Sequence, residues 1–191
     1  MAIELPGMVS FLLSMTTLAL IYALLALGLN VHYGYTGLLN FGHVAFFAAG
    51  AYTAAIVTIP PPGTVSGGAD YAIGLGVPMP FGVVISLGAS ALVGGILALL
   101  IGLTSVRLGN HYLAIATFAL AGIFEEFIRN EAWLTRGVIG LNNVPKPGRS
   151  ALGADLWGLV YMLFAAALVV GTYLVIERLM GAPFGRLLKG I

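Results

Sequence analysis

Long apolar runs alternate with short polar breaks along the chain, and the lengths of the runs decide what they can be. A helix rises 1.5 Å per residue, so about 20 apolar residues cross a hydrocarbon layer roughly 30 Å thick. Residues 8–29 form the first such run, interrupted only by Ser10, Ser14, Thr16 and Thr17. A second covers 44–59 and meets Pro60, Pro61 and Pro62. A third covers 81–106 and ends at Arg107, and the last covers 156–176 and ends at Glu177 and Arg178. Residues 113–124 are apolar as well, but they reach only about 18 Å before Glu125 and Glu126. That short run reads as a half-helix, a re-entrant segment, or a span whose ends lie in protein, and the pattern leaves all three open. The expectation is an all-α polytopic membrane protein of about five transmembrane helices, with a glycine-rich broken segment after the first.

The breaks carry the polar chemistry. Residues 30–43 hold Gly34, Gly37 and Gly42 among Tyr33, Tyr35, Thr36, Asn40, His32 and His43. One reading is a turn between two helices with tyrosines as interfacial anchors. The other is a broken segment beside a translocation path. Irregular backbone at membrane depth survives only when it is buried in protein or lines a water-filled cavity. Residues 60–80 are rich in glycine and proline, carry one charge at Asp70, and read as a loop outside the hydrocarbon. Residues 129–155 form a polar loop with Arg129, Glu131, Arg136, Lys146, Arg149 and Asp155. Within 81–106, Gly82, Ser86, Ser90, Gly94, Ala98 and Gly102 fall four apart on one ridge. Such a ridge lets another helix approach closely, so this run is expected to lie among other helices.

Composition agrees with the pattern. The chain is 60% hydrophobic and 8% charged, with a mean hydropathy of +1.04, whereas a soluble domain carries roughly a quarter charged residues. A net charge of +1 offers no basic patch for nucleic acid. With no cysteine, there is no disulfide framework and no thiolate chemistry. Glu4 and the lack of Lys or Arg before the first run are unlike a secretory leader, so that run is expected to be retained. No phosphate-binding loop occurs, so this chain is not expected to hydrolyse ATP. Neither a hydrolase nor a metalloprotease signature is present, and no His, Asp or Glu cluster has metal-ligand spacing. The chain is not expected to be an enzyme.

Individual polar residues have ordinary explanations too. His43 at a helix start is more often a hydrogen-bonded structural group than a ligand contact. Glu125 and Glu126 are adjacent and so point to different helix faces, which leaves at most one turned inward. Arg129, one turn further, can pair with either. Arg107, Arg178, Arg186 and Lys189 on one side balance Arg129, Arg136, Lys146 and Arg149 on the other, so charge alone gives no orientation.

Three stretches together resemble one family. The first is Gly34-Tyr35-Thr36-Gly37-Leu38-Leu39-Asn40-Phe41-Gly42-His43, continuing through Ala45-Phe46-Phe47 to Gly50-Ala51-Tyr52-Thr53-Ala54. The second is Tyr112-Leu113-Ala114-Ile115-Ala116-Thr117, with Thr135, Gly137, Gly140, Leu141 and Pro145 further on. The third is Pro183-Phe184-Gly185-Arg186. In this order they resemble the permease subunits of branched-chain amino acid ABC importers, the M-type subunit more than its H-type partner. The chain departs from the family's usual pattern at Gly122, where a glutamate is usual, at Arg136, where a glycine is usual, and at Ala182, where a serine is usual.

The resemblance implies a single transmembrane permease domain over residues 1–191, continuing in the family beyond the point where this sequence stops. It implies a plasma-membrane protein that works with four kinds of neighbour: a second permease subunit, cytoplasmic ATP-binding subunits, an extracytoplasmic substrate-binding protein and the lipid bilayer. No cofactor is implied in this chain, since ATP binds a partner subunit. Gly34, Tyr35, Thr36, Gly37, Asn40, Gly42 and His43 are the implied translocation-path residues. Pro183, Phe184, Gly185 and Arg186 are the implied ATPase-coupling segment. Family orientation puts Arg107 and residues 177–191 in the cytoplasm and 129–155 outside. Two alternatives stand beside this reading: a permease for urea or short amides, and a membrane scaffold that transports nothing.

Overall fold

A computed structural model describes residues 7–61, 73–105, 109–183 and 185. The apolar runs are helices: α1 spans Gly7–Asn30 (24 residues), α2 His43–Thr58 (16 residues) and α3 Phe81–Ser105 (25 residues). α4 spans Asn110–Asn130 (21 residues). Two short helices follow, α5 at Ala132–Thr135 and α6 at Arg149–Leu152, before the long α7 at Ala154–Gly181 (28 residues). A π-helical turn, Val31–Tyr35, follows α1, and a 3-10 turn, Gly137–Ile139, follows α5. Among the described residues there is no strand. α1, α3 and α7 are long and apolar enough to cross a membrane, and α2 is apolar but shorter.

α4 is longer than the short apolar run it contains. The helix does not stop at Phe124 but continues through both glutamates to Asn130, and its 21 residues cover about 31 Å. Its charged end is held by pairs one turn apart. Glu125 and Arg129 form an ion pair at 2.8 Å, and Asn130 Nδ2 donates to Glu126 Oε1 at 2.8 Å. Pairs at this spacing favour the helical form. The element is therefore one uninterrupted helix, apolar over residues 113–124 and charged at its end, and the polar loop begins at Glu131 rather than at 129.

The chain divides into two compact units, one formed by residues up to Leu39 with those from Gly148 onward, the other by Asn40–Pro147. In the first, α1 packs along α7, and the buried side chains include Thr17 on α1 and Ala165 and Met180 on α7. Thr17 Oγ1 donates to the Leu13 carbonyl at 2.8 Å, which removes its polarity from the apolar surroundings.

In the second unit α2 packs against α3. Ser90 Oγ on α3 donates to the Gly50 carbonyl on α2 at 2.9 Å. The end of α2 is closed by the returning chain. A helix leaves its last four carbonyls without internal partners, and in lipid each such group costs several kcal/mol. Here the N–H groups of Leu75, Val77 and Gly76 donate to Ile56, Val57 and Ile59 at 3.0, 3.1 and 2.8 Å. Ile59 is extended (φ −66°, ψ 135°), as the residue before a proline tends to be. Its side chain is fully buried beside Ala55, with Leu141 packed against them.

The small-residue ridge of α3 is used over half its length. Gly82 and Ser86 are buried, whereas Ala98, Leu92, Ile96, Leu99 and Leu103 are exposed. Within its own compact unit and among the described residues, the expectation that α3 lies among other helices holds for its first half. Across the described residues the usual soluble arrangement is inverted: what is buried is largely small or hydroxylated, and what is exposed is large and apolar. That is the surface expected of helices whose neighbours are lipid tails or further helices.

Candidate functional site

The broken segment after α1 has two parts, one in each compact unit. In the first unit the helix widens into the π-turn Val31–Tyr35. Such widened turns occur often at functional positions, because they free backbone groups from the regular ladder. The Thr36 hydroxyl donates to the His32 carbonyl and accepts from the Leu38 N–H at 3.4 Å. Gly37 N–H donates to the Tyr33 carbonyl at 3.1 Å, and Gly37 sits at φ 69°. Gly34 and Gly37 are exposed, while Tyr35 and Thr36 are half-buried. These four residues thus form the unwinding end of α1.

Asn40, Gly42 and His43 belong to the second unit, where they form a turn docked on the middle of α4. Asn40 Oδ1 accepts from the Gly42 N–H at 2.9 Å, closing an Asx turn. Phe41 N–H donates to Thr117 Oγ1 at 3.2 Å. Thr117 is fully buried, and its own hydroxyl donates back along α4 to the Leu113 carbonyl at 2.8 Å. The Phe41 and Phe118 rings meet edge to face, centroids 6.2 Å apart. Gly42 is what permits this approach. A Cβ there would lie 3.4 Å from the Thr117 carbonyl oxygen, 3.5 Å from Thr117 Cβ and 3.1 Å from Asn40 Oδ1. His43, half-buried, opens α2 immediately afterwards.

The first and second stretches of the resemblance are therefore in contact, through a threonine that is not among the candidate site residues. Its signal in the sequence is a single hydroxyl inside the apolar run 113–124. A membrane helix tolerates such a residue when its oxygen has partners, and here it has one on each side.

Beside this docked turn, α2 and α4 line a cavity of about 490 Å³. From α2 come Val44, Ala48 and Tyr52, four apart; from α4 come Phe118, Gly122, Glu125 and Arg129, three or four apart. Each set forms one face of its helix. Because Phe41 meets Phe118 at the start of α2, the two faces run from an apolar end at Val44 and Phe118 to a polar end at Tyr52, Glu125 and Arg129. Gly137 and Val138 also border the cavity. The Glu125 and Arg129 side chains are 65% and 58% exposed, and an ion pair of that kind stabilises a helix by only about 0.3–0.5 kcal/mol. Of the two adjacent glutamates, Glu125 is the one turned to the cavity, and Glu126 is taken up by Asn130.

In the third stretch, Pro183 and Gly185 follow the end of α7, while Phe184 and Arg186 lie outside the described residues. Gly185 is buried, its N–H donates to the Ala182 carbonyl at 3.0 Å, and a Cβ on it would collide with the backbone of Met180. Among the described residues, no group of three His, Asp or Glu side chains is placed to hold a metal ion.

Apolar helices of spanning length, inverted burial and a polar turn set against a helix define a multi-pass α-helical membrane protein. The chain belongs to the family described as the permease component of the branched-chain amino acid transport system, which matches residues 11–191. It is 31% identical over 209 aligned positions to the high-affinity branched-chain amino acid transport system permease protein LivM of Escherichia coli, covering 97% of this chain and 45% of that protein. It is 30% identical to LivM of Salmonella typhimurium, again covering 97% of this chain and 45% of the relative. The chain thus spans less than half the length of these relatives. No solved structure matches it.

Proposed function

We propose that the chain forms part of a permease subunit of an ABC importer, through which branched-chain or related small amino acids pass under the drive of a separate ATPase. The observation that carries this reading is the family match over residues 11–191, with relatives named as high-affinity branched-chain amino acid permeases. The geometry is consistent with it. A polar turn held at the middle of a buried-threonine helix, next to a cavity, is the kind of irregular backbone that a path for a polar solute needs.

On this reading the chain performs no chemistry. A substrate-binding protein delivers the amino acid to the outer face, a second permease subunit completes the path, and ATP binding in cytoplasmic subunits drives alternating access. Force reaches the permease through residues 183–186, where Phe184 supplies an apolar plug for a groove on the ATPase and Arg186 a contact at its rim. The test is leucine uptake in cells whose own branched-chain permease is deleted, complemented with the full-length reading frame. ATP-dependent uptake that falls in Phe184→Ala, together with loss of the co-purifying ATPase at unchanged membrane level, supports it. Uptake of urea or short amides in place of leucine overturns the substrate assignment. A membrane-inserted protein that restores no uptake at all overturns the permease reading in favour of a scaffold.

A further inference from the structure

Resting on the permease reading, we infer that the cavity between α2 and α4 is a binding site for the zwitterionic form of a free amino acid, with Arg129 holding the carboxylate and Glu125 the ammonium group. Three features point to this chemistry. The cavity, about 490 Å³, lies in the range of small-molecule sites and has room for one amino acid with some water. Its two helical faces pass from apolar to charged, as a branched aliphatic amino acid does from its side chain to its Cα. At the charged end stand one anion and one cation, 2.8 Å apart and both lining the cavity.

The sum of those charges selects the ligand. A guanidinium offers a carboxylate two parallel N–H donors, and a carboxylate accepts from an ammonium group. A zwitterion satisfies both at once and adds no net charge to a site flanked by apolar helices. A simple carboxylic acid or amine engages only one of the two partners, so it gains one charge-assisted contact where a zwitterion gains two. Val44, Ala48 and Phe118 then receive the aliphatic part, and Gly122 leaves that wall open, since a Cβ on it meets nothing within 4 Å. Tyr52 stands at the charged end, where its hydroxyl is suited to the same headgroup.

The experiment is equilibrium binding of tritiated L-leucine to the full-length permease complex in lipid nanodiscs, in the absence of the substrate-binding protein. Excess 4-methylpentanoate, which lacks the ammonium group, and isoamylamine, which lacks the carboxylate, are expected to displace leucine poorly, and L-valine well. Arg129→Gln and Glu125→Gln are each expected to weaken leucine binding by about tenfold or more, as loss of a charge-assisted contact does. Glu125→Asp, which keeps the charge, should stay within about threefold, and Arg129→Lys, which keeps the charge but loses the two-donor fork, should fall between the unmodified protein and Arg129→Gln. Unchanged binding in both glutamine variants, equal weakening in the charge-keeping variants, or no binding by a complex that still takes up leucine overturns the site. Absence of leucine uptake by the unmodified complex in cells sinks the permease reading itself, and the two failures are thereby told apart.

Discussion

Phe41 and Thr117 stand 76 positions apart and share one hydrogen bond, 3.2 Å from the Phe41 backbone N–H to Thr117 Oγ1. It ties the docked turn to α4, and it works because Thr117 is fully buried and its own proton is already committed to the Leu113 carbonyl. The lone pairs are therefore turned towards the turn. A hydroxyl fixed in this way is both donor and acceptor in a place where water has little access.

Thr117→Val keeps the shape and removes the acceptor. It is expected to cost about 1–3 kcal/mol, the usual penalty for leaving a buried donor without a partner. A lower melting temperature in detergent and reduced leucine uptake should follow, while Thr117→Ser should stay closer to the unmodified protein. If valine and serine melt alike, the hydrogen bond is not what holds the turn.

Gly42 sets how close that turn comes. With a Cβ only 3.1 Å from Asn40 Oδ1 and 3.4 Å from the Thr117 carbonyl, Gly42→Ala must shift the turn by a few tenths of an ångström, and Gly42→Val by more. The expected order of uptake is glycine above alanine above valine, at equal amounts of protein in the membrane, with about 1 kcal/mol lost for alanine. Alanine and valine variants that transport like the glycine protein would show that the close approach has no functional consequence.

How much of this could be read from the chain differs from one element to the next. The starts of α2 and α3 lie within a residue of where hydropathy puts them, because the polar glycine-rich turn before His43 and the prolines before Phe81 are local signals. The far end of α4 was not legible by hydropathy. Glu125, Glu126 and Arg129 look like a loop to any hydropathy rule, yet their one-turn spacing keeps the helix going. The i,i+4 relation of Glu125 and Arg129 was visible in the sequence, but that they face a cavity was not, since the opposite wall comes from α2. The anchoring of Phe41 was likewise out of reach, since nothing local to residue 41 names a partner on another helix. The π-turn at 31–35 has no composition of its own that separates it from an ordinary helix end.

Arg136 occupies backbone that suits glycine. It lies at φ 64°, ψ 17°, in the left-handed region, which costs a residue with a Cβ roughly 1–2 kcal/mol. The position is also one where the resembling family usually carries glycine. Arg136→Gly is therefore expected to raise stability, by about 0.5–1 kcal/mol after the greater flexibility of unfolded glycine is set against the relief. The check is the melting temperature of the two proteins in the same detergent. A decrease on substitution means that the arginine side chain contributes more than its backbone costs.

The two halves of the α3 ridge make opposite predictions from one sequence pattern. Ser90 is half-buried and bonded to Gly50 across the α2–α3 contact, so Ser90→Leu forces a large side chain between two helices held close by small residues. Ser90→Ala removes only the hydrogen bond and should cost about 0.6 kcal/mol, the average for such interhelical bonds in a membrane. Gly102 lies on the same ridge three turns further on, and a Cβ there meets nothing within 4 Å. Gly102→Leu is therefore expected to leave the melting of this chain almost unchanged while Ser90→Leu lowers it by several degrees. The contrast separates packing inside the chain from packing against something else. If Gly102→Leu leaves the isolated chain intact but prevents assembly of the full complex, the open half of the ridge receives a neighbouring helix there. If Gly102→Leu destabilises the isolated chain as strongly as Ser90→Leu does, the ridge is covered along its whole length within this chain, and the half-open arrangement of α3 is wrong.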